Sequence, residues 1–463
     1  MTRSRADHGT TGPLSGTDPA SARGMLALRF VQPDRSLPSA LLTRAELTLG
    51  RDQDNDFVLA GNATSRRHAR IERRGSALAL LDLESRNGVF VDGVKATLAP
   101  LLPGSVLRVG DWVGVVHEQR LNEPSFVGEL FGGLFGSAAL ARALATAARA
   151  AASTLSLLVL GETGTGKELV ARALHDASGR PGPFVPVNCA ALSETLLEAE
   201  LFGHERGAFT GADRARIGWV READRGTLFL DELGELSASA QGKLLRTLET
   251  HEVSPLGSTA RFRSDFRVVG ATHRDLRAMV AAGRFRADLL ARLEGAVLPL
   301  PPLRARREDI PALFARFAER ALGRPCPRTS ARLIEALCRY DWPGNVRELR
   351  QVTERLAVLR GQEPEWRLRH LADVLPALAE RNSAPPATER QSGPPLTDSE
   401  RALVRSLPAE GKQREMLAAL REAGGNVTAA ARLLGLSKQS LYRWIRDNAV
   451  DLGAFRSGSP STH

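Results

Sequence analysis

Short apolar runs separated by turns rich in Gly, Asp and Asn fill residues 25–118. Runs of this length, punctuated by turn residues at close intervals, are typical of strands. The pattern therefore predicts a small all-β domain. The predicted strands are Leu26–Phe30, Ala45–Leu49, Ala77–Leu81, Val89–Val91 and Val106–Val109.

A different pattern covers residues 126–375, where apolar runs alternate with amphipathic helical stretches. Such alternation predicts an α/β domain. The alanine-rich stretch 138–160 carries Arg142 and Arg149, so we expect a packed helix leading into a strand rather than a membrane span. Examples of the predicted strands are Leu157–Leu160, Thr227–Leu230 and Phe266–Gly270.

The remaining segments differ in composition. Residues 1–24 are rich in Ser, Thr, Gly and Pro, and we predict that they and residues 450–463 are disordered. Residues 376–407 contain Pro, Ser and Glu and are predicted to form a linker. Residues 408–449 are predicted to form a short, basic, helical tail. A chain of 463 residues has room for such a multidomain arrangement.

Charge and cysteine content narrow the function classes. The formal net charge of +10 indicates either a polyanion among the partners or an Arg-rich surface. Cys189, Cys326 and Cys338 have no zinc-like spacing, and their small, odd number fits a reducing compartment better than a disulfide framework. The first 24 residues contain no apolar segment of the signal-peptide type. We therefore expect a cytoplasmic protein that does not interact with a membrane.

A glycine-rich loop follows the predicted strand Leu157–Leu160 and precedes a helical pattern, which is the context of a phosphate-binding loop. Its glycines let backbone N–H groups surround phosphates, while the helix N-terminus and Lys167 add positive charge. The position that usually holds Ser or Thr is Glu168. The predicted ATP-binding residues of the loop are Gly161, Glu162, Thr163, Gly164, Thr165, Gly166, Lys167 and Glu168.

Two acidic residues end the apolar run Thr227–Leu230, about 65 residues after the loop. Asp231 is predicted to hold Mg²⁺ through water, and Glu232 to orient the attacking water. Alone, such acids are more often a helix cap. Together with the preceding loop they predict an ATPase that requires ATP and Mg²⁺.

Several further blocks resemble the AAA+ domain of bacterial enhancer-binding proteins, an α/β ATPase with a helical lid. The resemblance covers residues 126–375 and includes Asn188–Ala191 and Glu200–Ala212. Within the second block, the sequence GAFTGA is typical of members that act on sigma-54. The resemblance implies that this loop lines the pore of a hexameric ring and contacts sigma-54; otherwise Phe209 would be read as a core residue. The implied sigma-54 contacts are Gly207, Ala208, Phe209, Thr210, Gly211 and Ala212.

The same resemblance implies individual catalytic roles. Asn188 corresponds to the residue that pairs with the Walker B glutamate. Arg286 and Arg292 correspond to arginine fingers that reach the neighbouring subunit's nucleotide, although a surface ion pair is the commoner fate of an arginine. Thr272 lies in the sensor I segment, and Arg347 lies in the sensor II segment.

Two positions depart from the family pattern. His273 stands where the sensor I segment usually has Asn, and Arg221 stands where Glu is usual, shortly after Gly218. We expect ATP hydrolysis to persist, because neither change removes a residue assigned to the chemistry.

Residues 25–118 resemble a forkhead-associated (FHA) domain, a β-sandwich that binds phosphothreonine peptides. The resemblance rests on Gly50-Arg51, Ser65–Ala69, Ser85–Gly88 and Val91–Gly93. Arginine binds phosphate through paired hydrogen bonds, and His68 is predicted to be structural. A phosphothreonine protein or a Ser/Thr kinase is thereby an implied partner. The implied peptide-binding residues are Arg51, Ser65, Arg66, Arg86 and Asn87.

The tail reads as helix, turn and helix, with Asn426 and Ser437 as N-caps and Gly435 in the turn. It resembles the Fis-type helix-turn-helix that ends this family, which implies dimeric binding to palindromic double-stranded DNA upstream of a promoter. The polar face of the second helix suits the major groove. Its predicted DNA contacts are Lys438, Gln439, Ser440, Tyr442 and Arg443.

Taken together, the resemblances imply an ATP-driven activator that remodels sigma-54 RNA polymerase holoenzyme from the closed to the open promoter complex. It would assemble from dimers into a hexamer and be regulated through its phosphothreonine-binding domain. Two alternatives are a DNA-binding regulator that does not act as a motor, and a phosphopeptide adaptor whose ATP site drives assembly only. The intact GAFTGA loop argues against the first, and Arg286 and Arg292 argue against the second.

Overall fold

The computed structural model describes residues 25–376, apart from 33–34, 75–76, 122, 124, 126 and 210–211, together with the isolated residues 419 and 434. Apart from residues 376, 419 and 434, the predicted disordered ends, the linker and the DNA-binding tail therefore lie outside the described residues.

The first domain is a sandwich of two β-sheets. One sheet has the order β2-β1-β12-β11-β8-β9, with β3 also paired to β1, and the other has the order β10-β7-β6-β4-β5. The strands are β1 Met25–Gln32, β2 Arg35–Ser36, β3 Ala40–Leu41, β4 Glu46–Gly50, β5 Phe57–Val58, β6 Ala69–Arg74, β7 Ala77–Asp82, β8 Val89–Val91, β9 Val94–Ala96, β10 Leu98–Leu101, β11 Val106–Val109 and β12 Trp112–Gln119.

The sandwich core forms because alternate side chains of each strand point inward. Leu28 and Phe30 of β1 meet Leu49 of β4 and Ile71 of β6 in one buried cluster. The ring of Phe30 contacts that of Phe57 edge-on, with centroids 5.6 Å apart. This confirms the all-β prediction for the first domain.

The second domain contains a parallel sheet of order β16-β19-β22-β15-β23. Helices pack against it, and small antiparallel pairs lie outside it. The elements are β13 Gly128–Glu129, β14 Phe135–Gly136, α1 Ala138–Ala150, β15 Leu157–Leu160, α2 Lys167–Asp176, β16 Phe184–Asn188, α3 Glu194–Phe202, β17 Gly203–His204, β18 Arg216–Ile217, α4 Trp219–Glu222, β19 Thr227–Asp231, α5 Ala238–Thr250, β20 Glu252–Val253, β21 Phe262–Arg263, β22 Arg267–Thr272, α6 Leu276–Ala281, α7 Ala287–Leu293 and β23 Ala296–Pro299.

The central parts of the parallel strands are apolar because helices cover both faces of the sheet. Leu158 and Leu230 belong to the buried cluster on one face. Val159 and Val269 belong to the cluster on the other. Arg267 at the start of β22 donates to backbone oxygens of Ala150 and Ala151 at the end of α1, which joins that helix to the sheet. The arrangement of sheet and helices confirms the α/β prediction.

A helical lid follows the sheet. Its core includes Trp342 and Trp366, and the Trp366 ring meets Phe314 at a centroid distance of 5.7 Å. Among the helices of the described part of the chain, none has the length and apolar character that a membrane crossing requires. The lid elements are α8 Ile310–Leu322, β24 Arg328–Thr329, α9 Ala331–Arg339, α10 Asn345–Arg360 and β25 Glu365–Trp366, and short 3-10 turns lie at Phe131–Gly133, Leu233–Glu235, Leu303–Ala305, Arg307–Asp309 and Leu368–Asp373.

Candidate functional site

The carboxyl ends of the parallel strands bring the predicted ATP-site residues to one edge of the sheet. In register, Asn188 at the end of β16 pairs with Asp231 at the end of β19, and Leu160 at the end of β15 pairs with Thr272 at the end of β22. The Gly161 N–H donates to the Thr272 carbonyl oxygen at 3.2 Å. Residues far apart in the sequence thereby form a single site.

The phosphate-binding loop connects β15 to α2, as predicted. Gly164 (φ 81°) and Gly166 (φ 103°) adopt left-handed backbone conformations that side chains disfavour. The Thr165 hydroxyl donates to the Glu162 carbonyl at 2.8 Å and closes the loop. Lys167 begins α2 and its Nζ donates to the Gly161 carbonyl at 3.0 Å. The helix N-terminus and a buried ammonium group thus lie together where an anion binds most favourably.

The two acids at the end of β19 have different surroundings. Burial raises the pKa of Asp231, and the positive charge of Lys167 acts in the opposite direction. Glu232 has a left-handed backbone (φ 52°), and its carboxylate lies 3.9 Å from the Lys167 Nζ. Its Oε2 accepts a hydrogen bond from His273 Nδ1 at 2.7 Å.

The expected pair between Asn188 and Glu232 is not formed in this structure. Asn188 Oδ1 instead accepts the Ala190 N–H at 2.9 Å, while His273 bonds to Glu232. His273 directly follows Thr272 at the end of β22, the strand next to β19, which places its Nδ1 within hydrogen-bond distance of Glu232. The sequence shows that His273 departs from the family pattern, but it does not show that Glu232 is its hydrogen-bond partner.

The GAFTGA loop follows α3 and the short strand β17. Gly207 (φ 82°) turns the chain, and its N–H donates to the Ala212 carbonyl at 2.9 Å. Phe209 is half-buried, with its ring centroid 5.1 Å from that of His204. It is therefore neither a core plug nor fully exposed. Thr210 and Gly211 lie outside the described residues.

The predicted peptide-binding loops of the sandwich meet at Ser65. Its carbonyl accepts the Arg51 N–H at 3.0 Å, and its hydroxyl oxygen accepts the Arg86 N–H at 3.1 Å. Asn87 Nδ2 donates to the Ala63 carbonyl at 2.7 Å. The side chains of Arg51, Arg86 and Asn87, as well as that of Arg66, are exposed. Because the Ser65 hydroxyl accepts from Arg86, its own hydrogen can point outward to an anion.

His68 supports these loops from beneath. It is fully buried, its Nδ1 accepts the Ser65 N–H at 2.9 Å, and its Nε2 lies 3.2 Å from the Gly88 carbonyl. Burial lowers the pKa of His68, which favours the neutral ring that these two contacts require. This geometry agrees with the structural role predicted for His68.

Four family models match parts of this chain. The family model of the sigma-54 interaction domain matches residues 134–299, and that of an AAA+ ATPase lid domain matches 304–388. The FHA domain model matches 47–110. The model described as bacterial regulatory protein, Fis family, matches 413–446.

Relatives cover most of the chain. The transcriptional regulatory protein ZraR of Escherichia coli K12 is 42% identical over 329 residues, covering 70% of each chain. The DNA-binding transcriptional regulator NtrC of Bradyrhizobium is 40% identical over 337 residues, covering 67% of this chain and 68% of NtrC. This chain belongs to the family of sigma-54-dependent transcriptional regulators. A solved structure of NtrX from Brucella abortus in complex with ATP is 32% identical with a TM-score of 0.49, covering 68% of this chain and 69% of that one.

For this sigma-54 regulator the comparisons confirm the predicted family and fold class, including the Fis-type tail that lies outside the described residues. They confirm a DNA-binding transcriptional regulator that carries a sigma-54 interaction domain and an FHA domain.

The predicted finger arginines lie at the surface of this regulator. Arg286 precedes α7 and Arg292 lies within it, and both side chains are exposed. Arg286 Nη2 lies 2.7 Å from Asp288 Oδ2. In the single chain this is the surface ion pair that the sequence left open as the alternative. A pair that is half exposed contributes little to stability, so a competing anion can displace it.

Contacts between the lid and the phosphate-binding loop were not predicted. Arg304 donates to Glu162 Oε2 at 2.8 Å, and Asn345 Nδ2 donates to the same oxygen at 3.1 Å. These bonds, with Arg304 the larger effect, lower the pKa of Glu162 to about 2. The N–H of Arg347 donates to the Gly164 carbonyl at 3.3 Å, while its side chain is exposed.

Arg221, the second departure from the family pattern, is a packing residue in this structure. Its guanidinium lies 3.6 Å from the centroid of the Phe262 ring, which joins α4 to β21. Arginine over an aromatic face is a favourable contact. The substitution thus has a local structural explanation.

Proposed function

We propose that this regulator uses ATP hydrolysis to convert sigma-54 RNA polymerase holoenzyme from the closed to the open promoter complex. The observation that carries the proposal is the GAFTGA loop at the end of α3, in the same domain as the phosphate-binding loop and Asp231-Glu232. The match of residues 134–299 to the sigma-54 interaction domain supports it.

ATP would bind with its phosphates on the loop between Gly161 and Lys167. Asp231 fits a Mg²⁺ ion held mainly by phosphate and water oxygens, because within the described residues no cluster of three or more acidic, His or Cys side chains offers a complete cage. Its burial makes the carboxylate favour a nearby cation. Bound Mg²⁺ would neutralise phosphate charge.

Glu232 would orient the attacking water, with His273 fixing the carboxylate. Thr272, buried at the end of β22, and Asn188 would complete the site from the neighbouring strand ends. Arg347 of the lid would reach the nucleotide from the side of Gly164. Each group acts by position and charge, which is what phosphoryl transfer requires.

The exposed finger segment supports the proposal of a homo-oligomeric ring. Arg286 and Arg292 are exposed and would serve the nucleotide of a neighbouring subunit. Assembly from dimers to a hexamer would complete each ATP site. ATP hydrolysis would then move Phe209 and Thr210 against sigma-54, since glycines flank both and permit displacement.

The C-terminal domain would select the DNA site, and the N-terminal domain would regulate the activity. The Fis-type tail would bind palindromic upstream DNA through Lys438, Gln439, Ser440, Tyr442 and Arg443. The FHA loops would bind a phosphothreonine protein or a Ser/Thr kinase through Arg51, Ser65, Arg66, Arg86 and Asn87. Because the polymerase and the chromosome are its partners, the regulator would act in the cytoplasm, and no membrane takes part.

A direct test uses ADP with aluminium fluoride, which mimics the transferred phosphoryl group. The purified regulator should form a complex with sigma-54 in the presence of this analogue and not with ADP alone. Phe209→Ala should abolish the complex while leaving ATP hydrolysis intact. If sigma-54 bound equally well with ADP alone, or with Phe209→Ala, the proposed coupling of loop to nucleotide would be wrong.

A further inference from the structure

The outer face of the first FHA sheet is buried against the lid. Alternate residues of β11 and β12 face opposite ways, as strand geometry requires. One set fills the sandwich core and the other set joins the core of the lid, beside Leu333 and Leu337 of α9. The set in the sandwich is Leu107, Val109, Trp112 and Val116, and the set in the lid, with Val31 of β1, is Val106, Val113 and Val115.

An ion pair lies within this apolar contact. Arg108 of β11 lies on the same face as Val106, and its Nε donates to Glu335 Oε2 of α9 at 2.7 Å. Their side chains are only 13% and 7% exposed. The Arg108 guanidinium also lies 3.7 Å from the centroid of the Phe90 ring. A charge pair so far from water depends on both partners, because removing one leaves the other buried and uncompensated.

A second group of buried charges lies where β1 meets the turn before α8. Arg29 of β1 is 6% exposed, and burial lowers the pKa of Arg29 against the opposing effect of the nearby Asp309 and Glu308 charges. Glu308 accepts from the Ser137 hydroxyl at 2.7 Å, and Arg306 lies 3.4 Å from Asp309. The FHA domain, the start of α1 and the lid therefore share one charge cluster.

The same turn contacts the ATP site. Arg306 Nη2 donates to the Thr165 carbonyl of the phosphate-binding loop at 3.4 Å. Two residues earlier, Arg304 holds Glu162. Segment 303–309 thus has the FHA sheet on one side and the phosphate-binding loop on the other. Arg29 of the FHA sheet and Arg306, which contacts the phosphate-binding loop, thus both lie beside the carboxylate of Asp309.

Docking leaves the peptide-binding loops accessible. Arg51, Arg86 and Asn87 are exposed, whereas Arg29 is buried and the Arg108 side chain is only 13% exposed. Strand β8 begins two residues after Asn87, and the turn of its hairpin with β9 lies at Asp92-Gly93, where the Arg339 guanidinium packs against Gly93. The loops and the lid contact therefore lie at opposite ends of β8.

We propose that the outer face of the β1–β12–β11 sheet is a docking surface for the lid of the same chain, and that docking strengthens nucleotide binding. The docked domain holds segment 303–309, and with it Arg304 and Arg306, against the phosphate-binding loop. The regulatory meaning of this docking rests on the proposed function. Docking would connect the FHA domain to the ATP site through the contacts of segment 303–309.

The test compares full-length variants by two readouts: amide hydrogen exchange of α9 and the Kd of a fluorescent ADP, mant-ADP. Arg108→Glu places two carboxylates together and should raise α9 exchange and increase the Kd about fivefold or more, within the usual range of coupling between sites. The charge exchange Arg108→Glu with Glu335→Arg should return both readouts towards wild type. Arg44→Glu breaks an exposed FHA ion pair with Asp56 and should change neither.

Arg108→Gln provides a milder change should Arg108→Glu not fold, with the same direction in both readouts. Faster α9 exchange with an unchanged or lower Kd would show that the contact is structural only and overturn the coupling. Unchanged exchange would overturn docking itself. Because neither readout involves sigma-54, promoter DNA or a phosphopeptide, the inference and the proposed activator function can fail separately.

Discussion

His273 and Glu232 form a hydrogen bond of 2.7 Å between adjacent strand ends of the ATP site. An ionised carboxylate only accepts hydrogen bonds, so His273 Nδ1 must carry the proton. This leaves the Glu232 oxygens shared between His273 and the more distant Lys167 Nζ. The orientation of Glu232 is thus set by a residue that departs from the family pattern.

Replacing His273 should slow hydrolysis without weakening nucleotide binding. His273→Ala removes a charge-assisted bond, so we expect kcat for ATP hydrolysis to fall about 10- to 100-fold. His273→Asn restores a donor of the usual family type and should recover much of that loss. Steady-state hydrolysis together with mant-ADP binding separates the two effects. An unchanged kcat in His273→Ala would show that Glu232 needs no such partner.

Arginine fingers can be tested by mixing two inactive variants. Arg286→Ala should lower kcat by about 10³-fold or more, and Lys167→Ala should abolish nucleotide binding. In an equal mixture, about a quarter of the ring interfaces would pair an intact phosphate-binding loop with an intact finger. The mixture should therefore hydrolyse ATP when neither variant alone does. Continued inactivity of a mixture that assembles would exclude action across subunits.

The FHA loops should bind a phosphothreonine peptide through Arg51 and Ser65. Arg51→Ala and Ser65→Ala each remove a hydrogen bond to a charged group and should weaken binding about 10- to 100-fold. Isothermal titration with a phosphothreonine peptide library, and with the unphosphorylated peptides as reference, measures this. Arg44→Ala, which loses an exposed ion pair with Asp56 and none of the assigned peptide contacts, serves as the control. Equal binding by wild type and Arg51→Ala would show that Arg51 does not bind the phosphothreonine.

Asp309 should make stability fall as the pH rises. Burial raises its pKa from an ordinary value near 4 to about 7, so the folded chain keeps a proton that the unfolded chain releases. The stabilising contribution is complete below pH 4 and is lost progressively up to pH 7. The free energy of unfolding should therefore fall by about 1.4 kcal/mol per pH unit in this range relative to Asp309→Asn.

Calorimetric scans of wild type and Asp309→Asn from pH 4 to 8 measure that difference. Burial also raises the pKa of Glu308, so the two neighbouring acids titrate as a pair and the change in slope belongs to that pair. Parallel pH profiles would show that Asp309 does not titrate in this range.

The sequence predicted the parts of the fold that depend on neighbours along the chain. Strand β15 and the loop after it are recognisable because an apolar run, glycines and Lys167 follow one another. The contacts Arg304–Glu162 and Arg108–Glu335 join residues 142 and 227 positions apart. The pattern of residues around each position does not predict such distant pairs.

One signal of the docking surface was present in the sequence. Strand β12 reads Trp-Val-Gly-Val-Val and does not alternate with polar residues, which is typical of a strand covered on both faces. An ordinary sandwich would expose one face of this strand. The bond between His273 and Glu232 was not predictable in the same way, because it joins residues 41 positions apart that only the sheet order brings together.

The most direct test of the central claim is open-complex formation. The purified regulator is mixed with sigma-54 holoenzyme on a duplex promoter carrying its upstream site, and heparin-resistant complexes are counted with and without ATP. Our account predicts resistant complexes only with ATP, and none with Phe209→Ala although that variant hydrolyses ATP. ATP hydrolysis by an assembled wild-type protein without any resistant complexes would contradict the account and favour a DNA-binding regulator that is not a motor.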